Sequence, residues 1–175
     1  MGYRMLYCNG PATLAAGPIV LSEAMQDGLV IKPSDGVAFR DGPDFGRVLV
    51  FGADTGGRYG LMTLTVAPSA LGAGMGAHLH RGMEETFLVQ SGEIDFLIGE
   101  TVQTLRAGDF VRAPAGVRHG YANRSGAPVE LLVGFHPGGF ETLFIKYSTG
   151  LNPAPDPAGF MIDAAAMVGS EFEDG

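Results

Sequence analysis

The stretch GAGMGAHLHRGMEETFLVQSG, at residues 72–92, contains the pattern that decides the fold. It begins and ends with glycine, which favours turns at both ends. Between them, His78 and His80 are separated by one residue, and Glu85 follows on the next predicted strand. A lone His-x-His pair is common in β proteins, so the pattern becomes informative only with further ligands elsewhere.

A second glycine-bounded stretch, GDFVRAPAGVRHGYAN at residues 108–123, adds His119. Three imidazoles and one carboxylate suit one divalent ion, either Fe, Ni, Mn, Co, Cu or Zn. A closed structural zinc site would more often use cysteine, and the single Cys8 lies far from both stretches. Four protein ligands leave open positions for substrate, dioxygen or water. A catalytic metal centre at His78, His80, Glu85 and His119 is therefore predicted.

Turn signals such as Ser91-Gly92 and Ala115-Gly116 separate short alternating segments across the middle of the chain. This spacing indicates an all-β sandwich or small barrel. The predicted strands cover residues 47–52, 59–66, 78–80, 85–90, 93–98, 101–105, 109–112, 118–123 and 129–135. The predicted units are an N-terminal arm at 1–36, a β-barrel at 37–147, and a C-terminal linker, short helix and acidic tail at 148–175.

Alternation along the strands tests whether the four ligands can meet. His78 and His80 share one face of a strand, and Glu85 shares a face with Phe87. A carboxylate that points into an apolar interior needs a cationic partner, which a metal would supply. The substrate pocket is predicted from the inward-facing residues, which are Met62, Leu64, Phe87, Val89, Phe96, Phe110, Tyr121, Leu131, Val133 and Phe135. This wall favours a flat or hydrophobic organic substrate over a sugar phosphate.

Outside the barrel, the periodicity changes from that of strands to that of helices. A short helix is predicted near residues 22–27, and another near 158–168, opened by Pro157. A third amphipathic helix is predicted from residues at helical spacing, whose aromatic rings are interpreted as packing residues: Phe140, Leu143, Phe144 and Tyr147. The last six residues are acidic and are expected to fray.

Several polar residues near the predicted ligands are interpreted as structural or solvated. Asn123 is expected to hold a turn, and Glu84 should point away from the site. His136 is interpreted as a surface or packing histidine. Arg118 should also point away, and Arg81 should be a solvated charge near the mouth.

The chain has 175 residues, which suits one domain, and 46% of them are hydrophobic. Its formal net charge of −8 argues against binding to nucleic acid. No apolar run approaches the length of a membrane span. One cysteine excludes an intrachain disulfide, so a cytoplasmic location is expected.

The two glycine-framed stretches resemble the motifs of the cupin superfamily at every defining position, over about residues 37–147. The segment between them, residues 93–107, has the minimal length seen in microbial cupins. The resemblance implies a double-stranded β-helix, or jelly-roll barrel, with an N-terminal arm and short C-terminal helices. It also implies that His78, His80, Glu85 and His119 bind the metal.

Within the cupins, the chain is most similar to the single-domain, quercetinase-like group. The residues that carry this likeness are HRGMEETF at 80–87, GDFV at 108–111 and FHPGGFE at 135–141. The resemblance implies a dioxygenase that uses dioxygen to cleave an enol or flavonol-like aromatic substrate. Glu85 would then be both a ligand and the base that accepts the enol proton. A homodimer, paired through N-terminal strands, is also implied.

Two other functions are compatible with the same residues. The first is a non-redox cyclase or isomerase of a polyketide-type molecule, with the metal acting only as a Lewis acid. The second is a cupin that binds or senses a ligand without turnover. The second ranks lower because the chain has no basic helix-turn-helix segment and is acidic.

Overall fold

The computed structural model describes residues 28–32, 34–68, 76–148 and 157–172. The predicted helix near 22–27 lies outside these ranges, as do most of the N-terminal arm and nearly all of the linker. The predicted homodimer, which would use that arm, stays a prediction.

Within the described ranges, the strands form two antiparallel sheets. The strands are β1 (Val37–Asp41), β2 (Asp44–Val50), β3 (Gly60–Val66), β4 (His78–His80), β5 (Glu84–Ser91), β6 (Glu93–Ile98), β7 (Thr101–Arg106), β8 (Phe110–Ala113), β9 (His119–Ala122), β10 (Val129–His136) and β11 (Ser170–Phe172). One sheet has the order β1-β2-β3-β10-β5-β8, and the other has the order β11-β4-β9-β6-β7. The predicted all-β jelly-roll is confirmed.

Apolar side chains that alternate along the strands fill the space between the two sheets. On β3 and β5 every second residue is buried, as half-buried strands require. Phe87 of one sheet meets Phe96 of the other edge-to-face, with ring centroids 4.8 Å apart. Such pairs contribute about 0.5–1.5 kcal/mol beyond their buried area. The predicted strand alternation therefore produces the core.

Phe110 is the exception among the predicted inward residues. Its side chain is 62% exposed, so the prediction that it faces the interior is wrong. Val111 and Ala113 of the same strand β8 are buried instead. A strand has a side-chain period of two, so placing the inward face one residue off reverses every side chain.

Two helices cover one side of the barrel: α1 (Glu141–Lys146) and α2 (Pro157–Val168). Pro157 is the first residue of α2, as predicted. Neither helix in the described part of the chain is long and apolar enough to cross a membrane. At the start of α1, the fully buried Glu141 carboxylate accepts hydrogen bonds from the backbone N–H groups of Gly52 and Gly139, both at 2.7 Å.

The end of the chain differs from expectation. The strand β11 pairs with β4, so the prediction of a frayed tail is wrong for residues 170–172. Gly169 makes the reversal after α2 with a φ of 63°, a conformation that glycine adopts without strain. Its N–H donates to the Ala165 carbonyl at 2.9 Å, which ends the helix. The C-terminal segment thereby becomes the edge of the five-stranded sheet.

Candidate metal centre

The four predicted ligands converge between the two sheets. His78 and His80 lie on β4, and His119 lies opposite His78 on β9. Glu85 reaches them from β5 of the facing sheet. All four side chains are buried. The site is therefore assembled by packing the sheets together and exists in neither sheet alone.

The distances from the Glu85 carboxylate to the three imidazoles fit a single ion. The Glu85 Oε2 atom lies 3.2 Å from His80 Nε2, 3.0 Å from His119 Nε2 and 4.0 Å from His78 Nε2. One candidate atom from each of the four residues lies within 4.8 Å of the others. Two atoms that bind one ion at about 2.1 Å are separated by roughly 3 to 4.2 Å. The donor set, three imidazoles and a carboxylate, also suits a divalent transition metal.

Glu85 is held in its ionised form by the surrounding imidazoles. Burial alone would raise the pKa of Glu85, but hydrogen bonds from His119 and His80 and their charges lower it to about 2. A carboxylate at this depth is favourable only with such donors or a cation. The metal-free protein thus already carries a negative charge at the centre of the cluster.

The protonation of His119 follows from its two partners. Its Nδ1 lies 2.9 Å from the Val117 carbonyl oxygen, and its Nε2 lies 3.0 Å from the Glu85 carboxylate. Both partners only accept, so the two hydrogen bonds form together only when both ring nitrogens carry hydrogen. Burial alone would lower the pKa of His119, but the Glu85 hydrogen bond and charge raise it above its usual value. From that doubly protonated form, His119 must release a proton before its Nε2 can bind a metal.

His78 already has the neutral imidazole form that binds a metal. Burial is the largest effect on its pKa and lowers it to about 4, against the opposing charge of Glu85. Its Nδ1 donates to the Gly76 carbonyl oxygen at 2.8 Å. The neutral ring therefore directs an unprotonated Nε2 toward the cluster.

Ser170 on β11 is a residue that the sequence patterns did not reveal. Its hydroxyl lies 2.6 Å from His80 Nδ1, across 90 residues of chain. Next to it, the Phe172 ring stacks on His78 at a centroid distance of 5.5 Å and an interplanar angle of 17°. Phe172, as an apolar residue within an acidic tail, was a weak signal. No sequence signal marked Ser170.

A small cavity adjoins the ligands. Its volume of about 10 Å³ leaves room for about one water molecule. Besides His78, His80 and Glu85, its lining residues are Met62, Phe87, Tyr121, Val133, Phe140, Phe144, Phe160 and Phe172. The wall is almost wholly aromatic or aliphatic. Part of it comes from the helices and β11, outside the strands of the two motif stretches.

The predicted pocket wall is found only in part. Four of its members, Met62, Phe87, Tyr121 and Val133, line the cavity. Five are buried in the core but away from it, which are Leu64, Val89, Phe96, Leu131 and Phe135. Alternation assigns a residue to the inward face but not to a height along the barrel. The aromatic rings of Phe140 and Phe144, interpreted as packing residues, also line the cavity.

The neighbouring polar residues have structural partners. The fully buried Asn123 donates to the carbonyl oxygens of Val66 and Ala127 and accepts from Ser125, so it holds a turn as predicted. Glu84 points away and pairs with Arg112 at 2.5 Å.

The other charged residues that flank the motifs also lie outside the cluster. Arg81 is exposed and pairs with Glu171 of β11 at 2.6 Å. Arg118 contacts the Gly99 carbonyl oxygen. His136 is exposed and lies 3.4 Å from the Thr86 hydroxyl.

The central part of the chain is similar to a known protein family. Residues 62–135 match the family model of the Cupin domain. No curated protein sequence matches the chain. The matched range includes all four candidate ligands.

Solved structures share the fold at low sequence identity. A predicted oxalate decarboxylase from Thermotoga maritima is 19% identical with a TM-score of 0.57, over 62% of this chain and 99% of the other. An RmlC-like cupin from Shewanella frigidimarina is 22% identical with a TM-score of 0.51, over 59% and 86%. The polyketide cyclase RemF from Streptomyces resistomycificus is 20% identical with a TM-score of 0.53, over 62% and 79%. These likenesses concern the fold and carry no information on the reaction.

Proposed function

We propose that this chain, whose residues 62–135 match the Cupin domain model, is a metal-dependent dioxygenase that cleaves an enol or flavonol-like aromatic substrate. His78, His80, Glu85 and His119 would hold one divalent ion. When bound, a redox-active ion supplies Lewis acidity toward a substrate oxygen and electron transfer to dioxygen. Both atoms of dioxygen enter the product, so no external reductant is consumed.

The observation that carries the proposal is a buried cluster of three histidines and one glutamate facing a wall of aromatic rings. None of the described residues that line the cavity is a lysine or arginine. A phosphorylated substrate would lack the cationic partners that phosphate needs. A flat aromatic substrate would instead gain ring contacts with Phe140, Phe160 and Phe172.

Tyr121 provides the cavity wall with a hydrogen-bond donor. Burial raises the pKa of Tyr121 well above its usual value, and the negative charge of Glu85 adds to this effect. The phenol therefore stays protonated at physiological pH. It can donate to an enol or enolate oxygen held beside the ligands.

Glu85 is assigned first as a ligand and second as a proton acceptor. A general base works best when its pKa lies near the operating pH, whereas the pKa of Glu85 is about 2. Hydrogen bonds from His80 and His119 keep it low. Glu85 can become an effective base only when it no longer receives them.

The size of the cavity limits how a substrate enters. A space for about one water molecule cannot admit a flavonol. Phe160 of α2 and Phe172 of β11 form part of its wall, and their rings are 6.5 Å apart. Displacement of this C-terminal segment would open the cavity from one side, so we assign substrate entry to that side.

Oxygen consumption tests the proposal directly. Protein purified without chelators would be analysed for metal and reloaded separately with Fe, Mn, Ni, Co, Cu or Zn. Each form would then be incubated with a panel of enols and flavonols in an oxygen electrode. We expect one dioxygen consumed per substrate with a redox-active metal and none with zinc. Full turnover under argon would contradict the dioxygenase assignment.

A non-redox cyclase or isomerase is the second candidate. The same aromatic wall and the Tyr121 hydroxyl would orient a folded polyketide-type chain. Zinc-loaded protein that converts such a substrate without oxygen would establish this alternative. Tight binding of a small molecule without turnover by any metal form would indicate a ligand-binding cupin.

A further inference from the structure

We infer that Ser170 positions His80 as a metal ligand. The C-terminal strand β11 thereby contributes to the metal centre. The inference rests on the metal-binding part of the proposed function and not on the reaction. It assigns a role to a residue that lies outside the cupin domain match at 62–135. Ser170 is a positioning residue, since it acts through His80.

The three histidines differ in what holds their outer nitrogen. His78 and His119 each bond through Nδ1 to a backbone carbonyl two residues earlier, Gly76 at 2.8 Å and Val117 at 2.9 Å. These partners are local and belong to the same stretch as the ligand. His80 instead bonds to the Ser170 hydroxyl, which is 90 residues away.

This difference makes His80 the ligand with the least local support. A carbonyl oxygen only accepts, so it forces hydrogen onto Nδ1 and leaves Nε2 for the metal. A hydroxyl can accept or donate, so the ring orientation of His80 depends on where Ser170 is held. Outer partners of metal-bound histidines typically change metal affinity about 10- to 100-fold when removed.

Backbone pairing places the hydroxyl with the required accuracy. Ser170 is in register with His80 in the β11–β4 pair. Just before it, the Gly82 N–H donates to the Val168 carbonyl at 2.8 Å. Ser170 is only 5% exposed, so water has little access to replace its hydroxyl. Each of these contacts is independent of the hydroxyl and should survive its removal.

Metal affinity provides the test. Metal-free wild type, Ser170→Ala, Ser170→Thr and Glu171→Gln would be titrated with zinc against a chromophoric chelator. We expect Ser170→Ala to bind zinc about 10- to 100-fold more weakly. Ser170→Thr retains the hydroxyl and should restore most of the affinity. Glu171→Gln alters the exposed neighbour on the same strand and should match the wild type.

A spectroscopic measurement separates positioning from general stability. In zinc-loaded protein with ¹⁵N-labelled histidine, the Nδ1–H resonance of His80 should be protected from solvent exchange in the wild type and exchange rapidly in Ser170→Ala. Those of His78 and His119 should be unchanged. The wild-type measurement alone tests the inference if Ser170→Ala does not fold, because a rapidly exchanging His80 Nδ1–H would overturn it.

The outcomes distinguish this inference from the proposed function. Zinc binding by Ser170→Ala as tight as that of the wild type would overturn the role of Ser170 and leave the metal centre intact. Equal weakening by Ser170→Ala and Glu171→Gln would overturn it too, because it would show only loosening of the strand. A wild type that binds neither zinc nor the other five metals would overturn both.

Discussion

The strand β4, which carries His78 and His80, has two neighbours of different origin. On one side, β9 adds His119 from the second glycine-framed stretch. On the other, β11 adds Ser170 and Phe172 from the last residues described. The first neighbour supplies a ligand, and the second supplies an outer hydrogen bond and a wall. The metal centre thus combines ligands from the local motifs with residues of β11, which lies far along the chain.

Ligand spacing in the two motifs does not determine the pocket beside the metal centre. The motif side determines which atoms can bind a metal. The β11 side determines how the His80 ring is held and how small the adjoining cavity is. A cupin barrel with the same four ligands and a different C-terminal segment would therefore present a different pocket. Substitutions on the two sides of β4 separate these two contributions.

The largest effect is expected on the motif side, from Glu85→Gln. The substitution removes the negative charge at the centre of the cluster, where Glu85 lies within 3.2 Å of two imidazoles. Zinc affinity should fall by more than about 100-fold, beyond the range seen for outer partners. Isothermal titration measures this. Glu84→Gln, which alters the outward-pointing neighbour, is the matched control, and an equal loss in both variants would contradict the assignment.

The second prediction concerns the pH dependence of metal-free unfolding. The pKa of His78 is lowered to about 4 by burial, so its unfolded form binds more protons and stability rises between pH 4 and 6.5. The pKa of Glu85 is also lowered, so its contribution is lost only as the pH falls from 4.5 toward 2. The pKa of His119 is raised by Glu85, so its contribution is present below pH 6.5 and lost above it.

Together these shifts predict a maximum in the free energy of unfolding near pH 6.5. Urea titrations between pH 4 and 9, with chelator present, would locate it. His119→Gln should flatten the alkaline side, and His78→Gln should flatten the acid side between pH 4 and 6.5. A stability that rises steadily from pH 4 to 9 in the metal-free wild type would contradict the assigned protonation states.

The third prediction tests the β11 side through Phe172→Ala. The substitution removes the ring stacked on His78 and one wall of the cavity. In the wild type, the Phe172–His78 contact must break before a ligand enters, at a cost of about 1.4 kcal/mol. Without that contact, ligand entry should be about tenfold faster. Stopped-flow absorbance of quercetin binding to zinc-loaded protein measures the rate. Phe110→Ala, at an exposed phenylalanine of β8, should leave the rate unchanged, and entry equally slow in both variants would place the opening elsewhere.

The smallest effect is expected from Arg81→Gln. Arg81 pairs with Glu171 across β4 and β11, but both side chains are more than half exposed. Exposed ion pairs typically contribute about 0.2–1 kcal/mol. A double-mutant cycle with Glu171→Gln, followed by urea unfolding, should give a coupling energy in that range. A larger coupling energy would mean that the surface pair, rather than the buried contacts, holds β11 in place.

The accuracy of the sequence predictions follows the range of the interactions involved. Strands such as Glu93–Ile98 were predicted at their observed bounds because alternation and turn residues act within a few positions. The inward direction of Glu85 followed in the same way. The prediction for Phe110 failed because its apolar side chain was assigned to the interior, although Phe110 shares a strand face with the charged, exposed Arg112.

The pocket was predicted less well because its members come from different heights and different elements. Phe160 lies on α2 and Phe172 on β11, and neither is linked by spacing to the ligands. Ser170 carries no pattern that could be recognised, since serine is usual in exposed tails. Its burial depends on a strand pairing between residues 90 positions apart.

The all-β class, the resemblance to the cupin motifs and the four candidate ligands could be predicted from the sequence alone, because side-chain period and ligand spacing are local properties of the chain. Only the tertiary structure decided that Glu85 meets the histidines at about 3 Å, that Ser170 holds His80, and that aromatic rings from α1, α2 and β11 leave a cavity of about 10 Å³. These features arise where distant segments pack, and the free energy of that packing is not encoded in any single stretch.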